Sequence, residues 1–145
     1  MTLTELDAML AALLHTADFP MDPSLNGVQV ENSAPEKKEI RTIAYAVDAC
    51  AETIRRAAAC AADVLLVHHG LLWGQCRRVT GSYYRRLAAL FAADMALCAY
   101  HLPIDAHPAL GNNAVLADRL GLAEREPFGV WRGAVIGCIG TLREP

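Results

Sequence analysis

The sequence lacks the features that define several large classes of protein. No apolar run reaches the roughly 18 residues that a membrane-spanning helix needs, so we expect no membrane partner. The first residues carry no positively charged stretch ahead of an apolar one, and they do not resemble a secretory signal peptide. Intrinsic disorder is excluded as well, because hydrophobic residues make up 54% of the 145 positions and charged residues only 20%.

Cysteine motifs are also missing. The five cysteines contain no C-x-x-C pair, and their odd number does not suit a closed disulfide framework. Most of them lie inside apolar segments, where cysteine behaves as a small buried hydrophobe. We therefore expect a reduced, cytoplasmic protein without a cysteine zinc site.

A basic excess is missing too. Lysine and arginine together number 13 against 16 aspartates and glutamates, a net charge of −3, which argues against a nucleic-acid partner. Several arginines nevertheless occur in adjacent pairs, and the simplest interpretation of these is solvated helix faces and loops. The alternative is that Arg77 and Arg78, in a loop that follows two histidines, attract a small anionic substrate.

What the sequence does contain is an alternation of short apolar runs with helical segments. A first helix, capped by Thr2 or Thr4, precedes this alternation. Strands are predicted at 40–47, 64–67, 95–100 and 134–140, and helices at 51–62, 83–93 and 112–120. Near-continuous apolar strands indicate that both faces of the sheet are covered. We therefore predict a single α/β domain with a mostly parallel sheet flanked by helices.

Polar side chains stand where three consecutive predicted strands end. Asp48 follows the first of these strands, His68 and His69 follow the second, and His101 follows the third. Asp105 comes four residues after His101. Because the carboxyl ends of parallel strands share one edge of a sheet, the topology is expected to bring these residues to one site.

Imidazole and carboxylate groups are the ligands that Zn, Fe, Mn and Ni prefer. Neighbouring side chains on an extended strand point to opposite sides, so His68 and His69 are expected to hold one each of two adjacent ions. Asp105 would then bridge the two ions. The alternative is that the histidines are structural and only form hydrogen bonds.

Several motifs together resemble one family. They are Asn-Gly-Val-Gln-Val at 26–30, Ala-Val-Asp-Ala at 46–49, His-His-Gly at 68–70, His-x-x-x-Asp at 101–105 and Gly-Asn-Asn at 111–113. In these segments the chain resembles the Nif-three-like dinuclear-metal proteins, which are labelled GTP cyclohydrolase I type 2 homologues. The resemblance implies an α/β fold, assembly as a ring-like hexamer, and a two-metal centre whose ligands fall on His68, His69, His101 and Asp105.

The same resemblance also implies a second α/β half, which supplies a further His and Glu. On this basis residues 1–145 correspond to the first lobe of a two-lobed design with the second lobe absent, either as a fragment or as a natural short form. The expected function is metal-dependent hydrolysis of a small phosphorylated or nucleotide-like substrate, with Asp48 orienting a ligand or taking a proton. The alternative is a non-catalytic protein that binds metal or acts as a scaffold.

Overall fold

The computed structural model describes residues 1–142. Five helices and six strands alternate along most of the chain. The helices are α1 (Leu3–Leu13), α2 (Ala51–Ala59), α3 (Gly81–Ala92), α4 (Leu102–Ala106) and α5 (Asn112–Arg119). The strands are β1 (Gly27–Val30), β2 (Ile43–Asp48), β3 (Val64–His69), β4 (Ala96–Ala99), β5 (Leu122–Trp131) and β6 (Ala134–Leu142). The α/β class is therefore confirmed. No helix of the described residues is long and apolar enough to cross a membrane.

The main sheet has the strand order β1-β4-β3-β2 and is mixed. Strands β2, β3 and β4 run parallel, with Asp48 beside His69 in the register of β2 and β3, whereas β1 runs antiparallel to β4. The prediction of a mostly parallel sheet is therefore wrong. The error concerns β1, because the composition of a strand indicates its burial and does not indicate the direction in which an edge strand enters the sheet.

The predicted last strand does not join the main sheet. It is β6, which pairs with β5 in a separate two-stranded antiparallel sheet. Only Arg132 and Gly133 connect the two strands, and both have positive φ angles, of 48° and 91°. A two-residue connection of this kind forces antiparallel pairing, because parallel strands need a long crossover.

Helices cover both faces of the main sheet. On one face α2 and α3 pack Ile54 and Leu90 against Leu65 and Val67 of β3, and on the other face α1 packs against Val64 and its neighbours. The four residues of β4 are fully buried. Burial from both sides is the reason that these strands appear in the sequence as continuous apolar runs.

The first helix begins as the sequence predicts. The Thr2 hydroxyl accepts a hydrogen bond from the backbone N–H of Glu5 at 3.3 Å, and the backbone N–H of Thr2 donates to the Glu5 carboxylate at 2.9 Å. This reciprocal capping box satisfies two backbone donors that have no partner within the helix. Leu3 and Leu6 of α1 pack on the main sheet, and its Asp7 accepts hydrogen bonds from the backbone N–H of Val28 and from the Tyr100 hydroxyl.

Candidate metal centre

Three histidines meet at one edge of the main sheet. His68 and His69 are the last two residues of β3, and His101 follows β4 by two residues. The ring centroids are 4.4 Å apart for His68 and His69, 4.9 Å for His68 and His101, and 5.7 Å for His69 and His101. One ring nitrogen of each histidine lies within 4.8 Å of those of the other two. The topology thus brings these three predicted residues together.

The rings of His68 and His69 converge, although the alternation of an extended strand was expected to separate them. Each ring is held by a hydrogen bond to a different neighbouring chain segment. The His68 ring contacts the carbonyl of Tyr100, which follows β4, and the His69 ring contacts the carboxylate of Asp48, the last residue of β2. The expected separation of the two rings is therefore wrong. The arrangement of two ions remains a prediction.

The three histidines share one hydrogen-bonding pattern. His68 Nδ1 donates to the Tyr100 carbonyl at 3.2 Å, His69 Nδ1 donates to Asp48 Oδ1 at 2.8 Å, and His101 Nδ1 donates to Asp22 Oδ1 at 2.9 Å. Carbonyl and carboxylate oxygens only accept, so the proton is assigned to Nδ1 in each ring. In this tautomer each Nε2 carries a lone pair, which is the form in which histidine can ligate a metal ion when its Nδ1–H is held by a protein oxygen.

Asp22 is a residue of the candidate site that sequence reasoning missed. Its carboxylate is fully buried. Besides the His101 ring, it accepts hydrogen bonds from the Asn26 amide at 2.9 Å and from the backbone N–H groups of Ser24 and Leu102, both at 3.0 Å. Burial alone would raise the pKa of Asp22, but these hydrogen bonds together hold that pKa below its ordinary value. The sequence feature that could have indicated Asp22 is its place in a turn, where an aspartate accepts the backbone N–H two residues further on, here that of Ser24, in an Asx turn.

Asn26, the first residue of the Asn-Gly motif, also forms hydrogen bonds that position His101. Its side-chain amide donates to Asp22, and its Oδ1 accepts the backbone N–H of His101 at 2.8 Å. Both the ring and the backbone of His101 are therefore held from the loop ahead of β1. Gly27 follows with a φ of 110°, and a Cβ there would lie 3.2 Å from the Asp7 carboxylate. The site thus needs a glycine directly after Asn26.

Asp105 lies beside the three histidines on helix α4. Its Oδ1 is 3.5 Å from His68 Nε2 and accepts a hydrogen bond from the Asn112 amide at 2.9 Å. Helix α4 begins directly after His101, which places Asp105 one turn further on. The Asn112 contact fixes the carboxylate from helix α5. The Gly-Asn-Asn motif therefore contributes to the geometry of the site, and Asn112 is a second residue that sequence reasoning did not place there.

The glycine of the His-His-Gly motif has a packing reason. A Cβ at Gly70 would overlap the Gln29 side-chain amide. That amide accepts the backbone N–H groups of Leu71 at 2.7 Å and Leu72 at 3.0 Å, so it shapes the turn after His69. Trp73 continues this turn and donates its indole N–H to the Gly70 carbonyl at 3.1 Å. The Trp73 ring then stands edge-on to the His101 ring, 5.1 Å between centroids, and covers one side of the cluster.

Next to the site a cavity of about 390 Å³ lies between helices α4 and α5 and the β5–β6 hairpin. Asp105 and Asn113 contribute to its wall, and so do Arg125 and Glu126 of the hairpin. Asn113 also donates hydrogen bonds from its amide to the Asp105 carbonyl and to the Ile136 carbonyl, which ties the hairpin to the site. Asp105, whose Oδ1 lies near His68, is therefore also part of the wall of this cavity.

A profile of the family described as Duf34/NIF3 (NGG1p interacting factor 3) matches residues 1–145. The chain belongs to this family. The DUF34/NIF3 relatives include a protein of Treponema pallidum named GTP cyclohydrolase 1 type 2 homolog, which is 51% identical over 146 residues, 99% of this chain and 50% of its own length. A protein of the same name from Deinococcus radiodurans is 46% identical over 95% of this chain and 51% of its own length.

A solved structure of the same fold is that of TTHA1606 from Thermus thermophilus. It superposes with a TM-score of 0.82 at 46% identity, and the match covers 88% of this chain and 51% of that one. The family resemblance that the motifs indicate is thereby confirmed. The chain spans about half the length of the curated DUF34/NIF3 relatives that it matches.

Asp48, the predicted catalytic residue, is held by its hydrogen bond to His69 and leaves 62% of its side chain exposed. This position matches the option that Asp48 orients a ligand, and its part in catalysis remains a prediction. Of the predicted arginine pair, Arg77 stacks over the Tyr83 ring with its guanidinium carbon 5.1 Å from the ring centroid. Arg77 therefore approaches helix α3.

Proposed function

We propose that His68, His69, His101 and Asp105 hold a divalent metal centre in this chain. The observation that carries the proposal is that each histidine brings a ring nitrogen within 4.8 Å of a ring nitrogen of the other two, while its Nδ1 forms a hydrogen bond to a protein oxygen. A purely structural histidine does not need its ring grouped with two others in this way. The donor set of imidazole nitrogens and a carboxylate suits Zn, Fe, Mn or Ni and contains no soft sulfur ligand.

Hydrogen bonds with neighbouring residues orient the proposed ligands. Asp22 and Asp48 fix the tautomer and orientation of His101 and His69, and Asn112 fixes the Asp105 carboxylate. When bound, a divalent ion lowers the pKa of a coordinated water and polarises a substrate oxygen, which is the chemistry of metal-assisted hydrolysis. Asp48 is exposed to solvent next to His69, which supports the proposal that it accepts a proton from the reacting group.

The proposed reaction is hydrolysis of a small phosphorylated or nucleotide-like substrate. Two observations support this class. The cavity of about 390 Å³ beside Asp105 is large enough for a small ring system. The relatives from Treponema pallidum and Deinococcus radiodurans are named GTP cyclohydrolase 1 type 2 homolog, and this name refers to a nucleotide.

A second candidate is a protein that binds metal without turnover, as a carrier or scaffold. The composition of the cluster favours this second candidate. Within residues 1–142 the ligands that converge are three histidines, and Asp105 lies beside them. A site with few carboxylates binds a cation readily but supplies little negative charge to bridge two ions.

The proposal includes assembly into a homo-oligomer, a hexamer by family resemblance, in the cytoplasm. Strand β2 supports the assembly, because it lies at the edge of the main sheet and its side chains Ile43, Tyr45 and Val47 are 46%, 69% and 57% exposed. Exposed apolar side chains grouped in this way are typical of an interface. Light scattering on the purified chain measures the assembly directly, and a monomer at micromolar concentration would remove this part of the proposal.

Metal analysis of the purified chain tests the central proposal. We expect near-stoichiometric or higher Zn, Fe, Mn or Ni, lost in His68→Ala, His69→Ala and His101→Ala. His15→Ala is the matched control, because His15 is exposed at the end of α1 and lies outside the cluster. Trace metal in the wild type, or equal loss in the control, would reject the metal centre.

A screen of nucleotides and phosphoesters with added metal then separates the two candidate functions. Turnover that Asp105→Ala abolishes supports the hydrolase. Metal retention with no turnover on any compound supports the carrier or scaffold.

A further inference from the structure

The segment that follows the histidine pair is unusually basic. Residues 70–93 carry four arginines and no aspartate or glutamate, in a chain whose net charge is −3. None of the four forms an ion pair with an acidic side chain of residues 1–142. By contrast, Arg41, Arg55, Arg56 and Arg125 all pair with carboxylates. Four of the seven lysines and arginines of residues 1–142 that form no such ion pair therefore lie between β3 and the end of α3.

Arg86 lies next to the metal-site residues. Its Nη1 donates to the Ala49 carbonyl at 3.2 Å, and the Ala49 N–H donates to the His69 carbonyl at 2.9 Å. Two hydrogen bonds thus connect the Arg86 guanidinium to His69, through the residue that directly follows Asp48. The guanidinium is placed beside the strand ends that carry the proposed ligands.

The surroundings of Arg86 leave its charge unsatisfied. The side chain is half-buried, and its Nε is buried with no hydrogen-bond partner in the described part of the chain. A buried donor without a hydrogen-bond partner carries a free-energy cost, and that cost is larger for a charged group. A solvated surface arginine does not incur that cost. An anion that accepts hydrogen bonds from the guanidinium would offset this cost.

Arg77 approaches the same face of α3. Its guanidinium lies over the ring of Tyr83, which is buried in the core cluster that also contains Ala49 and Leu71. Tyr83 and Arg86 are three residues apart on the helix and therefore lie on one face. Arg86 reaches the Ala49 carbonyl, and Ala49 belongs to the same core cluster as Tyr83, so the two guanidinium groups both contact that cluster. Thr80, the cap residue of α3, makes no side-chain hydrogen bond to that first turn.

We propose that Arg77 and Arg86 form an anion-binding site beside His69 that takes a phosphoryl group. Guanidinium groups match the oxygens of phosphate through paired N–H donors, and the uncapped first turn of α3 adds backbone N–H groups to the same region. As a contact to the substrate the site rests on the proposed hydrolase function, whereas its affinity for phosphate does not depend on metal or on turnover.

Inorganic phosphate is the probe for this site. Calorimetric titration of the chelator-treated full chain measures its affinity in the wild type, in Arg86→Gln, in Arg77→Gln and in the double variant. We expect each single change to weaken phosphate binding by roughly fivefold or more, which corresponds to the loss of one charge-assisted contact. Arg86→Lys is expected to recover only part of the loss, because lysine keeps the charge but lacks the planar fork.

The matched control is Arg119→Gln, which removes one positive charge from an exposed position on α5. It is expected to change phosphate affinity by less than about twofold, since exposed distant charges are screened. Unchanged affinity in Arg77→Gln and Arg86→Gln would overturn the site, and so would an equal loss in Arg119→Gln. If Arg86→Gln lowers the melting temperature, the exposed Arg77→Gln decides the outcome.

Metal content keeps this test separate from the proposed function. We expect Arg86→Gln to retain the wild-type metal content, and His69→Ala to lose metal while it still binds phosphate. Phosphate binding without metal binding would reject the metal centre alone, and metal binding without phosphate binding would reject the anion site alone.

Discussion

The Asp22 carboxylate and the His101 imidazole form a 2.9 Å hydrogen bond between residues that are 79 positions apart in the chain. The carboxylate is fully buried and also accepts the backbone N–H of Leu102, the first residue of α4. Asp22 thereby positions both the His101 ring and the start of the helix that carries Asp105. One turn residue therefore holds two of the proposed ligands.

Asp22→Asn is the first prediction that follows. The substitution removes the negative charge and can turn an N–H toward His101 Nδ1, so the tautomer of the ring is no longer fixed. We expect metal affinity to fall roughly 10- to 100-fold, the range for loss of such a partner. We also expect a loss of stability of about 1–3 kcal/mol, because a buried network is left partly unsatisfied. Metal titration and urea unfolding measure the two effects.

The control for Asp22→Asn is Asp18→Asn, an exposed carboxylate in the same loop. It is expected to leave both quantities close to those of the wild type. Wild-type metal affinity in Asp22→Asn would show that the hydrogen bond to His101 does not organise the site.

Gly70→Ala is the second prediction. Gly70 does not have a positive φ angle, so backbone strain is not the issue, and the added methyl group would overlap the amide of Gln29. Gln29 cannot move freely, because its Oε1 accepts the N–H groups of Leu71 and Leu72. We expect a destabilisation of about 1–3 kcal/mol, typical of overpacking, measured by urea unfolding.

A double-mutant cycle identifies the cause of that destabilisation. In a Gln29→Ser background the same Gly70→Ala change is expected to cost clearly less, because the amide that it would overlap is gone. Equal costs in the two backgrounds would mean that the glycine is required for another reason.

The central strands could be predicted from the sequence for a physical reason. Strands β3 and β4 are buried on both faces, so every position favours an apolar residue and the run is continuous. Strand β5 was not predicted, because it contains Pro127 and three charged residues and is exposed along most of its length. Its pairing depends on the two-residue turn and on β6, which composition does not reveal.

The candidate site divides in the same way. His68, His69 and His101 could be predicted to meet because strand ends share an edge, and that argument needs only topology. Asp22 and Asn112 could not, because polar residues in turns and at helix starts are common and their contacts depend on how loops fold over the edge. The convergence of the His68 and His69 rings also depends on side-chain torsions that strand alternation does not determine.

A pH-dependent contribution to stability is the third prediction. Asp63 accepts the backbone N–H groups of Arg41 at 2.9 Å and Thr42 at 3.0 Å, and it lies 3.6 Å from Lys38. The hydrogen bond from Arg41 is the main cause that lowers the pKa of Asp63, partly opposed by burial and assisted by Thr42 and Lys38. A depressed pKa means that the folded state favours the charged carboxylate. The stabilisation is therefore present above the unfolded-state pKa of about 4 and is lost as the pH falls through the folded-state value.

Asp63→Asn is expected to lower the free energy of unfolding by about 1 kcal/mol at pH 7 and by progressively less below about pH 4. The stability of the variant therefore falls less steeply with acid than that of the wild type. Urea unfolding between pH 7 and pH 2.5 measures the difference. Glu126→Gln, at an exposed position of β5, is expected to run parallel to the wild type. A constant gap between Asp63→Asn and the wild type at all pH values would contradict the linkage.

Tyr100→Phe is the fourth prediction, and it separates stability from metal binding. The Tyr100 hydroxyl is buried and donates to Asp7 Oδ1 at 2.8 Å, and Asp7 Oδ1 also accepts the backbone N–H of Val28 at 3.1 Å. Burial raises the pKa of Tyr100 and Asp7 raises it further, so the phenol stays protonated and remains a donor at ordinary pH. Removing the hydroxyl leaves part of the Asp7 carboxylate unsatisfied, and we expect a loss of about 1–3 kcal/mol in urea unfolding.

Metal affinity is expected to remain close to that of the wild type in the same variant. His68 contacts the backbone carbonyl of Tyr100 and not its ring, so the phenylalanine variant keeps the acceptor that fixes the His68 tautomer. Tyr84→Phe is the matched control for stability, because that hydroxyl is on an exposed side chain of α3. A loss of metal comparable to that in His68→Ala would show that the Tyr100–Asp7 contact, rather than the carbonyl alone, holds His68 in place.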